Sequence, residues 1–313
     1  MEQLRNLFDE MFGGELSFDD FLHGDISNRI NKKIDGTRAI YSADQTLRSY
    51  HRFLQRHVIS YLYLNSDVVY SYRKGFNVAD AVRQHAQSKY FFQTDLSNFF
   101  NSITSKLIHS TLFKSSERMK FLNATEYFDR IVTLLTANDR LPPGFSTSPS
   151  ISNACLSELD DVFQKFCIHK NLIFTRYCDD VIVSGSSQDD LRIAAQELSN
   201  LVEICYKGEF SFNVGKSKFT KIGRKIKLLG MVILPNGLVT IDSSLKKKIE
   251  VLLHYYITDS FTFLRMVDND LSKGTRSLCG YISFVNAVDP TYFSKLCSKY
   301  SSAAIENLLR MPK

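Results

Sequence analysis

Two adjacent aspartates, Asp179 and Asp180, stand in the stretch FTRYCDDVIVSG, between the β-prone runs LIFTRY and VIVSG. Like charges placed there repel one another unless something neutralises them. A third acid, Asp95, closes the apolar run of YFFQTDLSNFF, where a strand can deliver a carboxylate to a cleft. The three acids meet only if their strands lie side by side in one sheet. Clustered carboxylates suit hard divalent cations that bind through oxygen, which points to two Mg2+ ions, with Mn2+ as a substitute. Two such ions would activate a hydroxyl nucleophile and stabilise a leaving pyrophosphate. Taken singly, an Asp-Asp pair is also a turn with solvated acids, and an Asp after a strand is also a helix N-cap.

The surrounding pattern supplies elements to hold these acids. A basic turn, NKKIDGTRAIYS, leads into a helix over ADQTLRSYHRFLQRHVISYLY, and the strand KYFFQTD runs directly into the turn and helix of LSNFFNSI. The loop LPPGFSTSP opens one long helix, SISNACLSELDDVFQKFCIHK, ahead of the double-aspartate hairpin. A helix over SQDDLRIAAQELSNLVEICYK follows, then short strands EFSFNV and KIKLLGMVIL, then a mostly helical region from Asp242. The fold class expected is α+β.

Composition narrows the function classes. A chain of 313 residues with 44% hydrophobic and 23% charged residues is that of an ordinary globular protein. It shows no run of about 18 apolar residues and no basic-then-apolar start, so the expectation is a cytosolic protein that neither spans a membrane nor carries a signal peptide. Six scattered cysteines lack the spacing of a zinc site or a disulfide framework. Between Ser211 and Glu250, nine Lys or Arg, Arg224 among them, stand against two acids, Asp242 and Glu250. Such a stripe is either a solvated face or a grip for a polyanion.

In this order, the strand-Asp-x-x-x-Phe-Phe element, LPPGFSTSPSISN, Tyr-x-Asp-Asp, FNVGKS and LLGMVIL resemble the successive palm motifs of reverse transcriptases, specifically the compact bacterial retron and defence-associated group. GTRAIYS is similar to the fingers, and LCGYISFVNAVDPTYFSKL to the thumb, so the resemblance covers residues 33 to 300. It implies a right-hand polymerase fold: fingers and N-terminal segment over 1–85, palm over 86–241 with a fingers insertion near 101–140, and helical thumb over 242–313.

The resemblance also implies roles. Asp95, Asp179, Asp180 and the main-chain carbonyl of Leu96 would be the metal ligands. Arg38 would grip the incoming triphosphate. Phe100 would lie beneath the sugar and exclude a 2′-hydroxyl, unless it is the core member of the Phe99/Phe100 pair. Lys216 would protonate the leaving pyrophosphate or contact phosphate. Tyr177 and Cys178 would touch the primer end and the new base pair, although for Cys178 a small residue tolerated in a tight turn is the preferred reading. Gly144, Ser148, Pro149 and Asn153 would shape the loop and helix beneath template and nucleotide. The partners implied are a non-coding RNA template, nascent DNA, deoxynucleotides and a separate effector or second polymerase subunit.

Three positions depart from the family pattern. Pro143 stands where many relatives have glutamine, which removes a side-chain hydrogen bond and suggests a product restricted in sequence. AVRQH, ending at His85, keeps only the histidine of an Asn-Ala-x-x-His element. Leu228 to Gly230 replaces Val-Thr-Gly. These departures favour a defence-associated enzyme outside the retrons, with no ribonuclease H or endonuclease segment expected. The alternatives are a retron enzyme leaving a branched RNA–DNA product, a template-independent or protein-primed polymerase with none of the 15 tyrosines marked as primer, and a decayed nucleic-acid-binding subunit.

Overall fold

The computed structural model describes residues 2–122, 124–223 and 225–310, so Arg224 of the basic segment lies outside the described residues. Two compact units divide the chain. One comprises Met1–Phe76, Phe92–Val183 and Gln188–Lys218, the other Asn77–Phe91, Ser184–Ser187 and Phe219–Lys313.

The first unit opens with α1 (Glu2–Phe12) and α2 (Phe18–His23). The basic turn expected at NKKIDGTRAIYS is instead an antiparallel hairpin, β1 (Ile30–Asp35) and β2 (Arg38–Ala43), with Asp35 opposite Arg38. Its strands read as a turn because β1 is solvent-exposed beyond its first residue and carries no apolar alternation. Gly36, at φ +60°, supplies the left-handed residue that a two-residue hairpin loop requires. Helix α3 (Gln45–His57) starts where the Asp44 side chain accepts the Leu47 N–H at 2.7 Å. Its inner face sets Tyr50 and Phe53 against Phe8 and Phe21 in an aromatic cluster with centroids 5.2–5.9 Å apart.

After α4 (Val78–Gln84), which belongs to the second unit, come β3 (Tyr90–Asp95), α5 (Phe99–Ser102), α6 (Ser105–Lys114) and α7 (Phe128–Leu135). The long helix expected over SISNACLSELDDVFQKFCIHK breaks at Leu156 into α8 (Ser148–Cys155) and α9 (Ser157–His169). The break faces Asn153 and Asp160 onto one buried guanidinium, described below. Strands β4 (Ile173–Tyr177) and β5 (Asp180–Gly185), helix α10 (Gln188–Tyr206) and β6 (Lys218–Lys221) follow. The four-stranded sheet has the order β4-β5-β3-β6, so β3 and β5 are neighbours.

EFSFNV is not a strand. Only Phe212 makes a bridge, to Leu96, while Phe210 packs into the core against Tyr206 and Phe99, which explains its apolar alternation. A turn then begins, with the Lys216 and Ser217 N–H groups donating to the Asn213 carbonyl at 3.0 and 3.1 Å.

In the second unit, KIKLLGMVIL folds back on itself as β7 (Ile226–Leu228) and β8 (Met231–Ile233), turning at Leu229 (φ +48°) and Gly230 (φ +83°). Strand β9 (Val239–Ile241) completes an antiparallel three-stranded sheet. Helices α11 (Ser243–Thr258), α12 (Ser260–Met266), α13 (Leu271–Val288), α14 (Pro290–Tyr300) and α15 (Ser302–Arg310) follow, as the sequence leads one to expect. Two capping aspartates also hold lysines. Asp242 caps α11 and takes Lys225 at 2.7 Å, and Asp289 caps α14 and takes Lys246 at 3.2 Å. Part of the basic stripe is therefore paired within the protein. Among the described residues, no helix is long and apolar enough to cross a membrane.

His85 closes a fully buried trio in this unit. Its Nδ1 lies 2.6 Å from Ser184 Oγ, which lies 2.7 Å from Ser88 Oγ. Burial pushes the imidazole down to about 3. Above pH 6.5 or so both folded and unfolded chains hold the ring neutral, whereas below it only the unfolded chain takes up the proton. Stability is therefore expected to fall by about 1.4 kcal/mol per pH unit between about pH 6 and pH 3 through this group. Urea titrations across that range should show this slope in the wild type and its loss in His85→Asn.

Candidate active site

Asp95 ends β3, and the next strand begins with Asp180, directly after the Cys178–Asp179 turn. The strand ends are tied together, since the Leu96 N–H donates to the Asp179 carbonyl at 3.1 Å. Asp95 is buried. Its Oδ2 accepts from Lys216 Nζ at 2.8 Å, and its Oδ1 has no hydrogen-bond partner among the described residues. Lys216 arrives there because the Asn213 N–H donates to the Asp95 carbonyl at 2.9 Å, which anchors the turn that carries the lysine. Asp95 holds the Lys216 ammonium above its ordinary range, so it stays protonated.

Burial, then Asp179, then Asp95, push the Asp180 carboxyl up to about 6, against the opposing pull of Lys216 and a hydrogen bond from Gln93. Asp180 thus feels the charge of the other two acids. Among the described residues, no group of three or more His, Cys, Asp or Glu stands close enough together to hold a metal ion. The acids converge without closing, with Lys216 as the resident cation. The donor set nevertheless fits a hard divalent ion: it offers carboxylate oxygens, one of them a buried orphan, and a charge that Asp180 carries at a cost when no cation offsets it.

Beneath the turn lies Arg176, fully buried, whose five N–H groups make five bonds. Nε and Nη2 donate to the two Asp160 oxygens at 2.8 and 2.6 Å. Nη2 also donates to the Asn153 carbonyl at 3.2 Å, and Nη1 to Asn153 Oδ1 at 3.2 Å and to the Cys178 carbonyl at 3.0 Å. Burial pushes the Asp160 carboxyl upward, and the guanidinium beside it pulls the other way. Cys178 adopts φ +60° and is itself buried, with its thiol pushed up to about 12 by burial.

A second group of expected site residues forms around the loop after Leu141. Pro143 accepts the Tyr41 N–H of β2 at 2.8 Å through its carbonyl, and Gly144 follows at φ +106°. A Cβ on Gly144 would stand 2.3 Å from the Tyr41 carbonyl oxygen, so only glycine allows this loop to dock on the strand that carries Arg38. Gly144→Ala is expected to introduce strain on the order of 1–3 kcal/mol and to displace β2. The measurable result is a lower unfolding temperature. The Phe145 ring lies tilted against the buried His51 ring with centroids 4.6 Å apart, and His51 Nε2 meets the Leu134 carbonyl at 2.8 Å.

The structure thus gathers Asp95, Asp179, Asp180 and Lys216, with Leu96 against Asp179 and with Tyr177 and Cys178 leading into the turn. It separately gathers Arg38 and Gly144. Arg38 is exposed, and among the described residues no hydrogen bond or ion pair joins it to the carboxylates. Of the Phe99/Phe100 pair, Phe99 is core and Phe100 is half-buried. Ser148 and Asn153 are buried, Ser148 donating to the Pro142 carbonyl at 2.7 Å. Reading the sequence misses Arg176, Asp160, Ser71, Tyr72 and Gln93. Arg176 alone carried a signal, being a charge inside a β run and therefore in need of a partner.

Acids at the ends of adjacent strands, reached through a tight two-residue hairpin turn, define the palm of a nucleic-acid polymerase. Residues 30–233 match the family described as reverse transcriptase (RNA-dependent DNA polymerase). The chain is 30% identical over 289 residues to the retron Ec73 reverse transcriptase of Escherichia coli, covering 87% of this chain and 85% of that one. To the retron Ec83 reverse transcriptase of the same organism it is 25% identical over 299 residues, covering 90% and 88%. The chain belongs to the reverse transcriptase family and is retron-like within it. Among solved structures, an apo telomerase from Candida tropicalis superposes with a TM-score of 0.51 at 14% identity, covering 98% of this chain and 65% of that one. The α+β right-hand polymerase fold expected from the motifs is the fold observed.

Proposed function

We propose that this chain is an RNA-directed DNA polymerase that copies a dedicated non-coding RNA, with Asp95, Asp179, Asp180 and the Leu96 carbonyl holding two divalent ions. The observation that carries this reading is the adjacency of β3 and β5, which sets Asp95 beside Asp179–Asp180 inside the matched segment. When bound, the ions would activate a primer 3′-hydroxyl and stabilise the departing pyrophosphate. The protein's own groups do the rest. Lys216, kept protonated beside Asp95, donates its proton to the pyrophosphate once nucleotide draws it away. Arg38, exposed on β2, grips the triphosphate, while Gly144 keeps that strand against the loop. Tyr177 borders the primer end, and the unpaired lysines of the basic segment hold duplex phosphates.

Phe100, half-buried, lies beneath the sugar. Phe100→Ala is expected to raise ribonucleotide use relative to deoxynucleotide use while costing less stability than the 3–5 kcal/mol or so of a fully buried phenylalanine. Competition assays with paired nucleotides check this, and unchanged sugar preference in a folded variant removes Phe100 from the site.

We assign residues 1–85 to fingers, 86–241 to palm and 242–313 to thumb, and extend the proposal to antiphage defence in the bacterial cytosol with a separate effector. A second reading, favoured by the 30% identity to a retron enzyme, is synthesis primed from an RNA 2′-hydroxyl that leaves a branched RNA–DNA product. Purification with the native flanking DNA, followed by sequencing of bound RNA and DNA before and after debranching, tests both. Complementary RNA and DNA support templated synthesis, a branch supports the retron reading, and DNA without a complementary RNA contradicts the proposal.

A further inference from the structure

The residue before the catalytic aspartates is held by every polar atom it has. The Cys178 N–H donates to Ser71 Oγ at 2.8 Å, and the Cys178 carbonyl accepts from Arg176 Nη1 at 3.0 Å. Its sulfur accepts from the Tyr72 hydroxyl at 3.2 Å. Two of the holders, Ser71 and Arg176, are themselves buried and fixed. Ser71 is fully buried and exchanges two bonds with Asn153, its Oγ donating to Asn153 Oδ1 at 3.2 Å and its carbonyl accepting from Asn153 Nδ2 at 2.9 Å. The same Asn153 holds Arg176. Tyr72 is at φ +58°, a conformation that is a genuine outlier for a bulky side chain. Two consecutive-contact residues in left-handed conformations, Tyr72 and Cys178, persist only where their surroundings over-determine them, and such strain gathers at functional sites.

We infer that Ser71, Tyr72 and Arg176 are positioning residues that clamp Cys178 and thereby fix Asp179 and Asp180 in the geometry that incorporation requires. This inference rests on the catalytic assignment of those two aspartates. Cys178 is then an anchor for the turn, held at its N–H, its carbonyl and its sulfur. The clamp belongs to the same compact unit as all three acids and Lys216. It explains why a strained residue occupies the turn: with φ fixed and three atoms bound, the turn cannot relax away from the partly repelling acids it carries.

Arg176 is too deeply buried to serve as the first test, because its loss is expected to threaten folding. Ser71→Ala, Tyr72→Phe, Cys178→Ala and Cys178→Ser each remove or replace one atom of the clamp and keep the core filled. Single-turnover incorporation separates the fraction of competent enzyme, read from the burst amplitude, from the geometry of the site, read from the rate constant. Ser71→Ala and Cys178→Ala are expected to slow the rate constant about tenfold or more at wild-type amplitude and unchanged half-saturating deoxynucleotide. Cys178→Ser, whose hydroxyl can still accept from Tyr72, is expected to stay within about threefold of wild type. A readout independent of turnover is Mn2+ binding to the protein without nucleic acid, where Ser71→Ala should weaken binding severalfold.

Unchanged rate constants in Ser71→Ala and Cys178→Ala overturn the inference. So does a reduced amplitude at unchanged rate, which signals only lost stability. A raised half-saturating deoxynucleotide at unchanged rate also overturns it, making Cys178 a nucleotide contact. A wild-type protein inactive on every primer–template would instead strike the polymerase reading. In that case hydrogen exchange at the Cys178 amide, expected to be protected in wild type and exposed in Ser71→Ala, still decides whether the clamp exists.

Discussion

Replacing Asp179 and Asp180 together by asparagine is expected to leave a folded protein that incorporates nucleotide at least about a thousandfold more slowly, the loss equivalent to roughly 4 kcal/mol of transition-state stabilisation by bound ions. Stability should move the other way. The Asp180 carboxyl is raised to about 6 by burial and by its neighbours Asp179 and Asp95. A carboxyl whose folded value lies above its unfolded one, near 3.9, favours the folded state most at low pH and loses that contribution as pH rises through about 6. At pH 7.5 without divalent ions the wild type therefore carries a repulsion that the variant lacks. Because Asp180 is only partly buried, solvent screening reduces the gain to about 1 kcal/mol. The paired measurement is incorporation rate and unfolding midpoint in chelator. Wild-type incorporation contradicts the assignment of the acids, and a large drop in the midpoint contradicts the account of their repulsion.

The largest loss of stability is expected at Asp160. Its carboxylate and the Arg176 guanidinium are both fully buried, joined by two bonds at 2.6 and 2.8 Å. Asp160→Ala leaves the buried guanidinium without its counter-ion and with two unpaired donors, and should cost about 3–5 kcal/mol, the range found when one partner of a buried pair is removed. Asp160→Asn keeps an acceptor for one of the two donors and should cost less. Exchanging both partners for apolar residues would recover part of the loss, yet it would still release the Cys178 carbonyl and both contacts to Asn153. Chemical denaturation of the three variants checks the order. A cost below 1 kcal/mol or so for Asp160→Ala would mean that water reaches Arg176.

The carboxylates were legible in the sequence because each lies where an apolar run stops, and because the intervening motifs come in family order. Their meeting needs only that β3 and β5 be neighbours, which the sheet order confirms. Elements whose pattern reflects something other than their own pairing were not legible. The β1–β2 hairpin hides because β1 is exposed beyond its first residue and so lacks the alternation of a half-buried strand. EFSFNV imitates a strand because the Phe210 ring enters the core while the backbone passes into a turn. The support of the site was hidden for a different reason. Ser71, Asn153, Asp160 and Arg176 come from a turn, two helices and a strand, and nothing in their local sequence marks the buried hydrogen bonds that join them. Lys216 was recognisable by its motif, whereas its contact with Asp95 depends on the Asn213 turn.

Extension of a DNA primer annealed to an RNA of mixed sequence, with a divalent ion present and one deoxynucleotide left out at a time, tests the central claim most directly. The account predicts products that stop one position before the first template base requiring the missing nucleotide, that disappear in chelator, and that are not made by Asp179→Asn/Asp180→Asn. Products whose length and composition ignore the template, or synthesis that survives in that variant, would contradict it.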